Sequence, residues 1–473
     1  MERNNNLIYD TFENPKRKRE WFLFAIQHVL AVLVATITVP LLIPGMPIAA
    51  TMLSAGLGTL VYIFITKKKS PVFLSSSFAY IAPMSSALAI SGIANATNDP
   101  ANYAALMLGM AFVGLIYIIV ALIIKAFGTK WLNKLLPPVV AGPVIMVIGL
   151  SLAGSAINNL ENTQAGIEGY NLIYILCGMV ALLVTALSSH YGKGKLLGLI
   201  PFVMGMLSGY LLALLFTLIG YNAFGNEYFK IIDFSPIVKI FKDFDISSIF
   251  NYRMFIPNTE ESFMLLRWDQ IKEFDWKSIS EIALLFIPVS LVTICEHIGD
   301  HENLGNIIGK DLLNDTPGMT RTLLGDGIAT ALSGSLSGCA NTTYGESVAV
   351  VGTTKIASVN VLITAAVMMI VFALFTPFTA LLQTIPACIT GGVSLVLYGF
   401  IAASGVKMLI RAKIDLNEVK NIFVMAVILV SGIGGLTLSF GPLRITSTAV
   451  AMILGIALNL ILKDNKENKE PSN

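Results

Sequence analysis

The sequence predicts an all-α polytopic membrane protein with about fourteen transmembrane segments in two inverted seven-span repeats. Three observations predict it: an apolar composition, a series of span-length apolar runs, and basic residues on alternate connections only. Of 473 residues, 55% are hydrophobic and 13% are charged, and the mean hydropathy is +0.75. A soluble chain of this length needs far more polar surface to cover its core. The formal net charge of +2 gives no reason to expect a nucleic-acid partner. The first twenty residues are polar and basic, with Lys16-Arg17-Lys18-Arg19, and the first apolar run is already span-length. No cleavable signal is therefore expected.

In chain order, the clear apolar runs cover 21–44, 48–66, 102–126, 132–155, 169–189 and 195–220. A second series covers 278–300, 319–337, 359–383, 385–406, 418–437 and 441–462. Two further segments, 71–90 and 338–356, are apolar but interrupted by small and hydroxyl residues. Basic residues support this division. With the N-terminus inside, the inner connections carry Lys67-Lys68-Lys69, Lys125, Lys130, Lys134, Lys193 and Lys195. Later ones carry Lys310, Arg321, Lys355, Lys407, Arg411, Lys413 and the tail from Lys463. The outer connections at 41–48, 91–101, 156–168 and 383–386 have no Lys or Arg. This is the positive-inside pattern, with both termini cytoplasmic. The connection at 221–277 carries both signs; its length exempts it from the rule, and it is expected outside as a cap containing a short amphipathic piece.

The two interrupted segments are each third in their set of seven. An odd number of spans per set makes the second set enter from the opposite side, and matched broken spans in such sets point to a midplane site. Unwound backbone survives in a membrane only where it lines a cavity or pairs with other protein. Pro71-Val72-Phe73-Leu74 and Ser337-Gly338-Cys339-Ala340 are expected to be short antiparallel strands, each leading into a half-helix whose free N–H groups face a ligand.

Three clusters carry candidate chemistry. Glu296 and Asp300 are four residues apart and share a helix face, so they either look into one cavity or close a helix at the cytoplasmic surface. Tyr344-Gly345-Glu346 ends the polar run Asn341-Thr342-Thr343-Tyr344-Gly345-Glu346. There Gly345 permits close approach to the backbone, and Glu346 is either a ligand acceptor or a capping carboxylate in a turn. In Ser75-Ser76-Ser77-Phe78-Ala79-Tyr80, Phe78 is either a stacking surface with a donor N–H or ordinary core. Carboxylates at membrane depth are costly and mark substrate or ion paths. Two carboxylate acceptors, backbone donors and an aromatic face suit a flat solute with alternating N–H and carbonyl groups, such as the pyrimidine-dione edge of uracil. They suit sugars less and anions poorly. Cys177, Cys295, Cys339 and Cys388 lie in apolar segments without metal-ligand spacing, and the four His are scattered apart from His297 and His301 flanking Asp300, so no metal site is expected. Asp326, in Gly325-Asp326-Gly327, is expected to hydrogen-bond neighbouring backbone.

From about Trp21 to Leu462 the chain resembles the nucleobase–ascorbate transporter family (nucleobase:cation symporter-2), most closely its bacterial uracil-transporting members. The resemblance rests on Gln27-His28, Ser76-Ser77-Phe78-Ala79, Glu296-His297-Ile298-Gly299, Asn341 to Glu346, Gly392-Val393-Ser394 and Leu397-Tyr398-Gly399. It implies a substrate-binding core from 21–127 and 278–383, and a gate from 128–220 and 384–462 that also makes a homodimer. The remainder is a cytoplasmic N-terminus at 1–20, an outer loop at 221–277 and a cytoplasmic tail at 463–473. It further implies that Glu296 and Glu346 hydrogen-bond the nucleobase and that Phe78 and Gly345 offer backbone N–H groups. Ala35 and Tyr344 line the pocket, with Tyr398 approaching from the gate. Glu at 346, where purine transporters of the family typically have Gln, favours uracil over xanthine or urate. Some members have His in place of Asp300, and that His is implicated in proton coupling. Asp is common there elsewhere in the family, and because two neighbouring carboxylates resist ionising together, the Glu296/Asp300 pair is expected to share the transported proton.

The sequence thus predicts a secondary active importer in the cell membrane, taking up uracil by proton symport through alternating access. No cofactor is expected beyond the coupling proton, and the expected partners are the solute, lipid and a second copy. The alternatives are a purine permease of the same family and a channel or anion exchanger of the same architecture. An enzyme is not expected, because no nucleophile–base or metal set accompanies the carboxylates. No G-x-x-x-x-G-K-[ST] loop supports ATP coupling.

Overall fold

Residues 7–43, 45–89, 102–161, 171–192, 196–242, 249–257, 262–440 and 443–462 are described here from a computed structural model. Their principal helices number fourteen. The first set is α1 (Lys18–Leu42), α2 (Ile48–Ile65), α3 (Ile81–Leu88), α4 (Tyr103–Phe127), α5 (Pro138–Glu161, with a single turn residue at Leu152), α6 (Leu172–Tyr191) and α7 (Pro201–Ala223, ending in a π turn). The second is α8 (Ile279–Ile308), α9 (Met319–Ser335), α10 (Gly345–Thr354), α11 (Val359–Leu374), α12 (Ala387–Arg411), α13 (Val419–Ile433) and α14 (Ser447–Ile461). Eight of the described helices are long and apolar enough to cross a membrane.

The helices sort into two bundles. In the first, α4 packs on α9 and α8, α2 packs on α11 and α9, and α1 packs on α11, with α3 and α10 held between. In the second, α12 packs on α5 and α6, α6 on α7, and α13 on α14 and α5. Adding seven to each helix number turns one contact into another. The pair α4–α9 becomes α11–α2, α6–α7 becomes α13–α14, α6–α12 becomes α13–α5, and α1–α11 becomes α8–α4. Contacts between bundles obey the same rule, with α1–α7 becoming α8–α14. A seven-helix unit used twice produces this pattern, and its odd count inverts the second copy. Close approach between helices depends on small residues. An added Cβ at Gly392 of α12 would sit 2.0 Å from the Gly178 carbonyl of α6.

The broken spans meet at the centre of the first bundle. Strand β1 (Ser75–Ser76) pairs antiparallel with β2 (Asn341–Thr342), Ser75 opposite Thr342 and Ser76 opposite Asn341, and Ser77 N–H donates to Ala340 O at 2.8 Å. The pairing lies later in both segments than the expected 71–74 and 337–340. Its cause is local: Phe73 N–H is taken by Ser347 Oγ at 2.9 Å and Leu74 N–H by Thr59 Oγ1 at 3.0 Å. Those amides are satisfied by side chains, so the ladder starts at Ser75. Each strand then leads into a helix, a 3-10 turn at Phe78–Tyr80 with α3 on one side and α10 on the other.

Two boundaries differ from the sequence expectation. Helix α8 does not close at residue 300 but runs to Ile308, because His301, Leu304 and Ile308 continue its buried face before Gly309 caps it at φ 69°. The last apolar run, expected from 441, includes β4 (Leu443–Ile445), which pairs antiparallel with β3 (Leu438–Phe440) and lies against α8. The described part of the 221–277 connection includes short helices at Ser235–Lys242 and Trp268–Glu273. It is tied down where the buried Arg267 guanidinium lies 4.4 Å over the Tyr103 ring and Asn251 N–H reaches Leu374 O at 2.8 Å.

Candidate functional site

The strand crossing brings two helix N-termini together. Phe78 opens the 3-10 turn and Gly345 opens α10, and the first N–H groups of a helix have no intrahelical partner. Around this point Ser77, Phe78, Ala79, Thr342, Thr343, Tyr344, Gly345 and Glu346 join Glu296 of α8 in lining a cavity of about 40 Å³. Ile148, Leu397 and Ile401 of the second bundle complete its wall. The volume is far below the roughly 300–1,000 Å³ of ordinary ligand pockets. A planar solute would need the two bundles to part.

The carboxylates arrive from different helices. Glu346 is the second residue of α10, where the helix dipole favours negative charge. Glu296 projects from the middle of α8, and Asp300 follows one turn later. Asp300 does not line the cavity itself, but a Cβ added to Gly345 would lie 3.6 Å from its Oδ1. Phe78 is buried, and its ring meets Tyr398 of α12 edge-on at 5.7 Å. The Tyr344 hydroxyl is buried without a hydrogen-bond partner among the described residues.

A fully buried polar network anchors the neighbouring face of α8. His297 Nδ1 lies 2.7 Å from Asp326 Oδ2 of α9, and its Nε2 lies 2.9 Å from Thr322 Oγ1. Asp326 Oδ2 also accepts the Thr343 N–H at 3.3 Å, tying α9 to the strand that leads into α10. One turn on, His301 Nδ1 donates to the His297 carbonyl at 2.8 Å. In the neutral ring that leaves Nε2 to accept the Tyr62 hydroxyl at 2.5 Å, while Ser70 lies 2.8 Å from the same hydroxyl. Glu296 and Asp300 therefore sit on a helix bolted to both α2 and α9.

Of the residues singled out in the sequence, Glu296, Glu346, Phe78, Gly345 and Tyr344 surround one cavity. Ala35, buried on α1, and Tyr398, behind Phe78, lie off its lining. The sequence reading did not assign Ile148, Leu397 and Ile401 to the site, and Leu397 entered only within the Leu397-Tyr398-Gly399 marker, since aliphatic residues in apolar helices do not show whether they face a cavity. It also missed the His297–Asp326 pair, although Asp326 does meet backbone as expected. The adjacency of His297 to Glu296 was the one available hint. Among the described residues no group of three or more His, Cys, Asp or Glu side chains forms a metal cluster.

Paired seven-helix units with a polar cavity at crossed broken spans define a polytopic membrane permease. The chain belongs to the Permease family (Xan_ur_permease), whose profile matches residues 19–440. It is 38% identical to the uracil permease of Bacillus caldolyticus over 98% of this chain and 97% of that one. It is 36% identical to the uracil permease of Bacillus subtilis (strain 168), over 95% and 94%. The uracil permease of Escherichia coli (strain K12) is 34% identical, over 93% and 90%. Among solved structures, the fold resembles the murine Slc26a9 anion transporter in the inward-facing state at TM-score 0.65 and 10% identity, covering 95% of this chain and 69% of that one. The transmembrane domain of the cyanobacterial bicarbonate transporter BicA matches at TM-score 0.57 and 13% identity, covering 94% and 98%. At these identities the likeness is one of fold alone.

Proposed function

We propose that this permease imports uracil across the cytoplasmic membrane by proton symport, with alternating access. The observation that carries the reading is that two carboxylates, Glu296 and Glu346, line one cavity beside two helix N-termini. Uracil carries ring N–H donors and carbonyl acceptors on one edge. Glu296 and Glu346 accept from the N–H groups, the Phe78 and Gly345 amides donate to the carbonyls, and Phe78 covers a ring face. The names of the relatives agree with this solute.

The first bundle acts as the core that holds the solute, and the second acts as the gate. Ile148, Leu397 and Ile401 withdraw as the gate moves, and Tyr398 and Ala35 become pocket walls when the cavity widens. Asp300, one turn after Glu296 on the same helix, shares the coupling proton with it. The exposed apolar stripe Leu172, Leu176, Met179, Leu183 and Leu187 on α6 meets lipid or the second copy of a homodimer.

The test is [14C]uracil uptake into proteoliposomes under an inward proton gradient. Accumulation that a protonophore abolishes, and that Asp300→Asn uncouples, supports the reading. Accumulation of xanthine with no response to uracil refutes the solute, and gradient-independent equilibration refutes symport.

A further inference from the structure

The polar segment ahead of α1 is built into the fold at the ends of the two helices that carry the carboxylates. Residues 7–11 run parallel to the link between α10 and α11. Ile8 N–H donates to Lys355 O at 2.8 Å, Ala357 N–H to Tyr9 O at 2.8 Å, and Val359 N–H to Thr11 O at 3.1 Å. Asn360 Nδ2 donates to Asn14 Oδ1 at 2.9 Å, and Leu7 is buried. On its other side the segment meets Lys310, one residue past the Gly309 cap of α8. The Lys310 ammonium donates to Asp10 Oδ1 at 2.7 Å and to Thr11 Oγ1 at 3.0 Å. One short segment thus grips the end of α8 and the end of α10 together.

Helix α10 has only 10 residues, and helices shorter than about 12–15 residues depend on tertiary ties for their position. Near the latch it approaches α8 closely through a small residue. Gly352 faces Ile307, where an added Cβ would sit 3.0 Å from Ile307 Cδ1. Glu346 lies at the opposite end of this short rod, beside Ser347, whose Oγ takes the Phe73 N–H, so a tilt at Lys355 pivots about that tie and turns the carboxylate.

We propose that residues 7–14 are a latch that sets the spacing of α8 and α10, and through it the separation of Glu296 and Glu346. The proposal rests on the reading that these two carboxylates hold a nucleobase. The latch residues touch no solute; they position the residues that do.

The test uses full-length protein with spin labels at two exposed sites, Glu302→Cys on α8 and Thr353→Cys on α10. The four native cysteines are buried. The distance distribution and the [14C]uracil KM are read in the parent, in a deletion of residues 2–14, in Asp10→Asn, in Lys310→Met, and in the swap of Asp10→Lys with Lys310→Asp. Deletion should broaden the distance and raise KM by roughly five- to tenfold with kcat changed less, and the single variants should do so partly. The swap should restore both. If the deletion does not fold, the single variants and the swap carry the decision. Unchanged distance and KM overturn the proposal, as does a broadened distance with KM unchanged, which would make the segment a mere tether. If the parent ignores uracil, the solute reading fails, and the distance alone then decides whether the latch exists.

Discussion

Removing the Asp326 carboxyl should cost this protein both stability and substrate binding. Asp326 is fully buried and accepts from two buried groups, the His297 ring at 2.7 Å and the Thr343 N–H at 3.3 Å. Asp326→Ala orphans both donors. At about 1–3 kcal/mol for each buried group left unpaired, the loss is roughly 2–6 kcal/mol. At about 2 °C per kcal/mol, near the lower end for long chains, the melting temperature should fall by roughly 4–12 °C. The four buried cysteines make a thiol-reactive fluorophore a direct unfolding probe in detergent. Asp326→Asn keeps an acceptor oxygen and should lose about half as much. Pairing each change with His297→Ala should give a strongly non-additive cycle, because the two side chains share one bond. A variant Asp326→Ala that melts with the parent, or additive losses in the cycle, would refute the claim that this pair anchors α8 to α9.

Three further outcomes follow from local geometry. Tyr344→Phe removes a buried hydroxyl with no described partner, so the melting temperature should hold or rise while uracil affinity falls about 2- to 10-fold. Unchanged affinity would show that the hydroxyl meets no solute. Gly392→Ala places a methyl 2.0 Å from the Gly178 carbonyl. It should cost at least about 1–3 kcal/mol, read as a lower melting temperature, and an unperturbed melt would contradict the close α6–α12 contact. Partial burial pushes the Asp10 carboxyl up, but the Lys310 ammonium and the Thr11 amide and hydroxyl hold it below its ordinary value of 3.8 on balance. A carboxyl depressed in the folded state stabilises above its unfolded pKa and loses that contribution as pH falls through the folded one. With the intrinsic exchange rate divided out, protection at Ile8 and Ala357 should therefore hold at pH 5 and fall below about pH 4; a pH-independent protection factor would deny the ion pair a role.

Much of this architecture was legible because a membrane restricts what a chain can do. Span-length apolar runs, basic residues on alternate connections and two hydroxyl-rich interruptions indicated fourteen segments in two sets, and the contact pattern repeats after seven helices. Glu296 and Asp300 at four-residue spacing were readable as one helix face. The strand register was not, because hydroxyls of Ser347 and Thr59, distant in sequence, take the amides of Phe73 and Leu74. The length of α8 was hidden by polar residues that, beyond Asp300, alternate with a buried face of His301, Leu304 and Ile308. The paired strands β3 and β4 and the segment at 7–14 depend on tertiary partners, β4 against α8 and Lys310 on Asp10. The solute lies on a different level. Slc26a9 and BicA share the fold at 10% and 13% identity, and their names concern anions. The architecture leaves solute chemistry to the side chains at the crossing.

The central claim is that Glu296 and Glu346 together grip uracil. The direct measurement is calorimetric binding of uracil to purified protein, parent against Glu296→Gln and Glu346→Gln, with melting temperatures as the folding control. Each substitution should weaken binding by about 10-fold or more, the range for a lost hydrogen bond to a charged acceptor, while the protein stays folded. Folded variants that bind uracil like the parent would show that the solute is held elsewhere.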